Sequence, residues 1–560
     1  MLKRLGSFAL PLFLAASASA QLPNELEGKL DALFAEKAGS DVPGLVAGIV
    51  KDGKLVYGKG FGLGSMEQLA PLGPKSVIDV GSVTKHFTST AILLLEDEGK
   101  LSLDDEVRKW IPSLPDFGKP ITIRRLLNHT SGLRDYFTLF ALKGWQLERP
   151  ITPSEVVDLM ADQQDLNFAP GTSFNYCNTG YVLASEIVQK AAKEPMSAYL
   201  KRRVFTPLGM NSTLLNDNPA TIIPRRVDSY RKAGTTWQRL SAPAMTVGDG
   251  GLYSSIEDFA KWDSALKNDT IKLKKGRLLD RLTDTSGFPA IGTNYGLGLF
   301  VDTFEGAKRI QHGGDWLGFN AQYSMFPEKG FSVITFANEG TQIGKSLNYE
   351  ASKLMLASMA TAPAASVKEG EKKETPWPGG LMSQMEGDWT AKGAGAELKI
   401  TFRTANGRPE LQAVGQPALK LYALSDTQIF VKEVDLVISR TEADATGKWT
   451  KATLEQRVGN TTVKLEMSRA TPFVMTQEQA EGLAGKYWSP ELKEIYTLKA
   501  VQNRVAWEQN GQSLFLTMSS PTKGTVSMVT LNFVMDSSGR ATGAKLDAGR
   551  AVGIRLEKLK

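Results

Sequence analysis

The sequence predicts an α+β protein, in which one large unit of helices and strands precedes two smaller all-β units. Three observations carry this. Up to about residue 360, stretches of helical periodicity are interrupted by short strand-like pairs. Residues 361–380 are rich in Ala, Lys, Glu and Pro, the composition of a linker. Beyond them almost every segment alternates apolar and polar residues, with Gly, Asn and Asp at the turns.

Taken in order, residues 24–39 read as an amphipathic helix. Gly44–Val50 and Lys54–Gly58 flank Asp52-Gly53, a strong hairpin signal. A helix is expected from Ser82 to about Glu98, ending at Gly99. From Ile121 to about Lys267 helical segments alternate with polar loops, and Ser255-Ile-Glu-Asp258 is a capping-box start. Strands follow at Arg309–Gly313, Phe319–Phe326 and Phe331–Ala337, and a helix to about Ala360 closes the unit. The two β-units are expected at 381–472 and 473–560. Gly387-Asp-Trp389 and Gly485-Lys-Tyr487 open them, Val463–Met467 and Ile554–Glu557 end them, and the spacing of about 100 residues suggests a duplication.

Composition excludes several function classes. With 560 residues, 42% hydrophobic and 22% charged, the chain suits a soluble protein of two to four domains. Residues 1–20 read as a secretory signal peptide: Lys3 and Arg4, an apolar stretch from about Phe8 to Ala16, then Ala18-Ser19-Ala20 before Gln21. The expected destination is therefore export, to a periplasm or beyond, with no membrane span in the mature chain. The net charge of +6 falls to about +4 without Lys3 and Arg4, too diffuse for nucleic-acid binding. Cys177 is the single cysteine, so no intramolecular disulfide forms, and three scattered histidines make a metal site unlikely. No cofactor is expected, and sequence leaves the oligomeric state open.

Three short motifs carry the chemistry. Serine is a weak nucleophile at neutral pH and needs a base. In Ser82-Val-Thr-Lys85 the lysine lies three residues on, so on one helical turn its amine reaches the hydroxyl. To act as a base it must lose its proton; a shift from about 10.4 to near 7 costs about 4–5 kcal/mol, which burial and nearby positive charge must supply. Ser264-Ala-Leu-Lys267 has the same spacing but reads as an exposed turn. In Tyr176-Cys-Asn178 the phenol can relay a proton and the amide can bond a substrate, with Cys177 as filler. In His312-Gly313-Gly314 the glycines let a substrate backbone lie along a strand, while His312 orients the tyrosine or meets a substrate carboxylate. Each motif alone also fits a structural role, as an Asn/Gly turn or a β-bulge with a structural histidine. All three in order, roughly 95 and 135 residues apart, are far less expected by chance.

In that order they resemble the Ser-x-x-Lys, Tyr-x-Asn and Lys/His-x-Gly motifs of the serine β-lactamase and penicillin-binding protein superfamily. The similarity is greatest to the branch holding class C β-lactamases, D-aminopeptidases, D-alanyl-D-alanine carboxypeptidases and esterases. Leu126-Leu-Asn-His-Thr-Ser-Gly-Leu133 and Gly250-Gly-Leu-Tyr-Ser254 also resemble segments of that branch. The resemblance covers about Leu22–Ala360 and implies a β-lactamase/transpeptidase-like domain, an antiparallel sheet flanked by helices with a helical subdomain. Two following antiparallel β-barrels are similar to the D-aminopeptidase architecture.

The resemblance further implies Ser82 as acylated nucleophile, Lys85 as its base, Tyr176 as second proton shuttle and Asn178 as substrate-amide contact. The backbone N–H groups of Ser82 and Asp315 would form the oxyanion hole, and Gly313 and Gly314 would line the substrate strand. His129 has no place in these motifs and is expected to be structural. Class C β-lactamases usually carry lysine where His312 stands; a mostly neutral histidine attracts a carboxylate less. The expected activity is hydrolysis of small amides, short peptides or esters, most plausibly D-amino-acid peptides or amides. Asp315 could in addition attract a substrate ammonium. A carboxylesterase, a weak β-lactamase, a penicillin-binding sensor and a scaffold are the alternatives, and the β-units would wall the site or bind a ligand of their own.

Overall fold

The computed structural model describes residues 21–37, 39–145, 149–240, 246–286, 294–359 and 374–560, apart from breaks at 394–395, 406, 414–417, 432–435, 459–460, 470–472 and 510. The expected signal peptide and most of the expected linker lie outside these residues.

Helix α1 (Asn24–Lys37) precedes the hairpin β1 (Leu45–Lys51) and β2 (Lys54–Phe61). Asp52 and Gly53 both have positive φ, 50° and 75°, the backbone a two-residue turn between twisted strands requires. The chain then forms a one-turn 3-10 helix at Gly81–Thr84 that runs into α2 (Lys85–Asp97). Helix α3 (Asn178–Ala192) and helix α4 (Ile256–Lys267) follow. Strands β3 (Phe300–Phe304), β4 (Ala307–Trp316), β5 (Phe319–Phe326) and β6 (Phe331–Ala337) precede α5 (Ile343–Met359). The six strands make one antiparallel sheet in the order β3-β4-β5-β6-β1-β2.

Both faces of this sheet are covered, which is why β1, β5 and β6 are buried almost throughout rather than at alternate residues. Leu45, Ala47 and Ile49 pack with Leu30 and Phe34 of α1 and Leu347, Ala351 and Met355 of α5. Val46 and Val50, one residue out of phase, pack on the other face with Ile256, Phe259 and Trp262 of α4. Gly48 permits that close approach, since a Cβ there would lie 2.4 Å from Ile256 Cγ2.

Two expectations need correction here. Ser264–Lys267 is the last turn of α4, not an exposed turn; its half-buried lysine pairs with buried Asp263 at 3.0 Å. Strand β3 was not foreseen, and it matters for the site. It pairs with β4 only as far as Gln311, so residues 312–316 keep one edge free of strand.

The C-terminal region holds two nine-stranded antiparallel sheets that curl into nearly closed barrels, and in each the first strand pairs with the last. Their duplication is visible in detail. Trp389 Nε1 donates to the Met385 carbonyl and Tyr487 Oη to that of Leu483, each reaching back four residues to the short helix that precedes its barrel. Asp444 and Asp536 each cap a tight turn by accepting backbone N–H groups two and four residues on.

The barrels differ in their packing. The first has its own core, centred on Trp389, Phe402, Ile438 and Trp449. The second shares a continuous core with the N-terminal unit. Arg134 Nη1 meets Glu491 at 2.6 Å, with side chains 1% and 2% exposed, and its Nε donates to the Val552 carbonyl.

Candidate active site

The 3-10 turn at Gly81–Thr84 presents Ser82 at the mouth of α2, and Lys85 is the first residue of that helix. Three residues of tight helix bring Lys85 Nζ to 3.0 Å from Ser82 Oγ. The ammonium site is otherwise closed by acceptors: Asn178 Oδ1 at 2.9 Å and the Asp249 carbonyl at 2.8 Å. Burial is the main force on Lys85. It lowers the amine's pKa to about 8, with the Asp249 carboxylate opposing and the Arg550 guanidinium assisting.

Tyr176 comes from the loop before α3 and lines the same cavity as Ser82. The centroid of its ring lies 4.9 Å from Lys85 Nζ, and the ring packs at a tilt of 37° against His129, centroids 4.2 Å apart. Burial pushes the phenol well above the ordinary tyrosine range, so it stays protonated. His129 is buried; its Nδ1 accepts the Cys177 N–H at 3.0 Å, so it supports the tyrosine loop from behind. Cys177 itself is buried, and burial raises its thiol to about 12, which leaves it inert as a nucleophile.

Asn178 does more than the motif implied. Its Oδ1 holds Lys85, and its N–H donates to Asp135 Oδ2 at 2.7 Å. No hydrogen bond from its Nδ2 to protein occurs among the described residues, and Asn178 lines the cavity.

The free edge of β4 forms the opposite wall. Gly314 is pressed against the nucleophile turn: a Cβ there would lie 1.9 Å from the Val80 carbonyl and 3.0 Å from Ser82 N. From the other side, a Cβ on Gly81 (φ 51°) would come 2.8 Å from Asp315 N. Glycine at both positions therefore lets the Ser82 and Asp315 amides sit on adjoining backbone. Gly313 lines the same cavity.

Of the two roles expected of His312, the structure leaves it the one beside Tyr176. Its Nδ1 lies 2.6 Å from the Gly313 carbonyl and so carries the proton, which leaves Nε2 to accept from Tyr295 Oη at 3.0 Å. Both nitrogens are engaged, and burial lowers the ring's pKa to about 3. His312 is thus a neutral wall beside Tyr176 and has no free donor for a substrate carboxylate. Asp315 is exposed at the cavity, with Oδ1 accepting from Asn320 and Gln342.

These groups face one cavity of about 910 Å³, a volume suited to a small molecule or short peptide. Phe137, Trp145, Trp316 and Phe300 give it an apolar lining, and Trp507 and Arg550 reach it from the second barrel. No group of three or more potential metal ligands occurs among the described residues, and the chemistry assembled is that of a serine–lysine–tyrosine acyl-transfer site.

Residues 30–353 match the sequence profile of the Beta-lactamase family. The chain belongs to that family. A penicillin-binding protein of Bacillus subtilis (strain 168) is 27% identical over 421 residues, 71% of this chain and 89% of the relative. A D-aminopeptidase of Cereibacter sphaeroides (strain ATCC 17029 / ATH 2.4.9) is 27% identical over 464 residues, 82% of each chain. In fold, the chain is similar to an octameric penicillin-binding protein homologue from Pyrococcus abyssi, with a TM-score of 0.54 at 22% identity, covering 95% of this chain and 99% of that one. This β-lactamase-family member is a serine hydrolase by fold and family, with D-aminopeptidases among its relatives.

Sequence reasoning missed Asp249, Asp135, Tyr295 and Arg550. Asp249 directly precedes the segment Gly250–Ser254 and Asp135 lies two residues past Leu126–Leu133, so a wider reading of those segments could have found them. Arg550 carried no signal at all.

Proposed function

We propose that this enzyme hydrolyses small D-configured aminoacyl or peptidyl amides through an acyl-enzyme on Ser82. One observation carries the reading: Lys85 Nζ lies 3.0 Å from Ser82 Oγ in a buried site that lowers its pKa to about 8. Neutral Lys85 takes the Ser82 proton as Oγ attacks the carbonyl carbon. The oxyanion is received by the N–H groups of Ser82 and Asp315, a kind of stabilisation worth a few kcal/mol. As the C–N bond breaks, Tyr176 gives its proton to the leaving nitrogen and recovers one from Lys85. Water then attacks the ester, losing a proton to the same pair, and Ser82 leaves with a proton restored. Asn178 holds Lys85 in line, and His312 keeps Tyr176 in place as a neutral neighbour.

The D-configuration and the amide leaving group rest on the D-aminopeptidase relatives. Export by residues 1–20 to a periplasm belongs to the same proposal and rests on the sequence pattern alone. The test compares D- and L-alanine p-nitroanilides, N-acetylated and free, with the mature protein. Faster hydrolysis of a D-enantiomer, lost in Ser82→Ala, is expected. Turnover of L-substrates alone, or turnover that survives Ser82→Ala, would overturn the reading.

A further inference from the structure

The hairpin that joins the last two strands of the second barrel, Ala541–Ala548 and Ala551–Lys558, points into the catalytic cavity. Its tip is fixed by backbone. The Arg550 carbonyl accepts from the Asp135 N–H at 3.2 Å and from Asn167 Nδ2 at 2.9 Å, and the Val552 N–H donates to Asn167 Oδ1 at 2.8 Å. The side chain of Arg550 is left to do something else. Its guanidinium lies over the Tyr176 ring, 5.0 Å from the centroid, and lines the cavity.

A guanidinium carries five N–H donors in a planar fork that matches a carboxylate. Among the described residues, the one acid that Arg550 approaches is Asp135, at the long distance of 4.0 Å, and the nearer duty of that acid is the Asn178 N–H at 2.7 Å. Arg550 therefore has donors to spare, facing the space where a substrate sits. His312, which the sequence offered as the carboxylate's partner, has no free nitrogen. We propose that Arg550 is the anion-recognition residue of the site, and that the enzyme selects substrates whose leaving group bears a free carboxylate next to the scissile amide.

This rests on the reading of Tyr176 as leaving-group donor. In a peptide with a free C-terminus, the carboxylate is two bonds from the leaving nitrogen, so a nitrogen at the Tyr176 hydroxyl brings it towards the cation stacked on that ring. The second barrel thus supplies a specificity element and not only a wall. Lys345, on the far wall beside β5, is the competing cation.

The test uses the full chain carrying Ser82→Ala, so that binding is read without turnover. The probes are N-acetyl-D-alanyl-D-alanine and its C-terminal amide, which differ only in the charge at issue. The free acid is expected to bind at least tenfold more tightly than the amide, with that ratio falling to near one in Arg550→Gln and partly kept in Arg550→Lys. The ratio cancels any influence of Arg550 on Lys85, which both ligands share, and the backbone bonds that fix the hairpin survive the substitution. Equal binding of acid and amide, or a preference that persists in Arg550→Gln but vanishes in Lys345→Gln, would overturn the proposal. A preference for the acid in a protein that hydrolyses neither D-substrate would refute the proposed activity while leaving the anion site standing.

Discussion

Lys85 can act as a base only when uncharged, so the account stands on its titration. Burial brings its pKa from 10.5 to about 8, a stabilisation of the neutral form by about 3.4 kcal/mol at 1.36 kcal/mol per unit. At that value roughly 1% of Lys85 is neutral at pH 6, about 10% at pH 7 and half at pH 8. An ordinary lysine would be about 250-fold poorer in the neutral form at pH 7. The rate of acylation by a p-nitrophenyl ester, read as kcat/KM, should therefore climb about fifty-fold between pH 6 and 8 and level off above about pH 9. Lys85→Arg should remove the climb along with the activity, because guanidinium does not deprotonate. The stability consequence has a definite sign. The folded chain binds fewer protons than the unfolded one between about pH 8 and 10.5, so the lysine's full cost is present below pH 8 and is relieved as the pH rises through that window. A flat profile from pH 6 upward, or a limb near 10.4, would refute the reasoning.

His312 should show no titration between pH 5 and 7, because burial holds it near 3; its ring resonances followed by NMR should stay those of the Nδ1–H tautomer. Asp79 is buried beside the nucleophile turn, accepts the Gly81 N–H at 2.9 Å, and is raised by burial to about 6. Its folded pKa is raised, so its ionisation costs stability as the pH rises. Asp79→Asn should therefore stabilise by up to about 3 kcal/mol at pH 7 and roughly half that at pH 5 in urea unfolding, whereas an equal effect at both would exclude the charge as cause. Arg134→Met leaves Glu491 buried without its partner and should cost about 3–5 kcal/mol in the transition that includes the second barrel. Adding Glu491→Leu should recover most of that loss; a double variant as unstable as the single one would point to the Val552 carbonyl bond instead.

What the sequence revealed and what it hid follow from the range of the forces involved. The Asp52-Gly53 hairpin was legible because turn chemistry and period-two alternation are local. So was the pairing of Ser82 with Lys85, although the turn that holds them is 3-10 before it is α. The barrels were legible as a pair because Trp389 and Tyr487 hold equivalent places. Strand β3 was missed because Phe300–Phe304 is short and is defined by its partner β4 rather than by its own pattern. His312 was given a substrate contact because nothing near it in sequence announces that Tyr295 takes its second nitrogen. Arg550 looked like any residue in a Gly-Arg turn, and its importance exists only once the second barrel docks against Asp135 and Asn167. The same tertiary dependence turned Asn178 from a substrate contact into the group that also steers Lys85.

The central claim is a covalent acyl intermediate on Ser82. Intact-mass spectrometry of the protein, quenched in acid within the first turnovers of an N-acetyl-D-alanine p-nitrophenyl ester, tests it most directly. One acyl group per chain is expected, mapped to the peptide holding Ser82-Val-Thr-Lys85, absent from Ser82→Ala and accumulating more slowly in Lys85→Arg. Hydrolysis at an undiminished rate in Ser82→Ala, or an adduct located on another side chain, would contradict it.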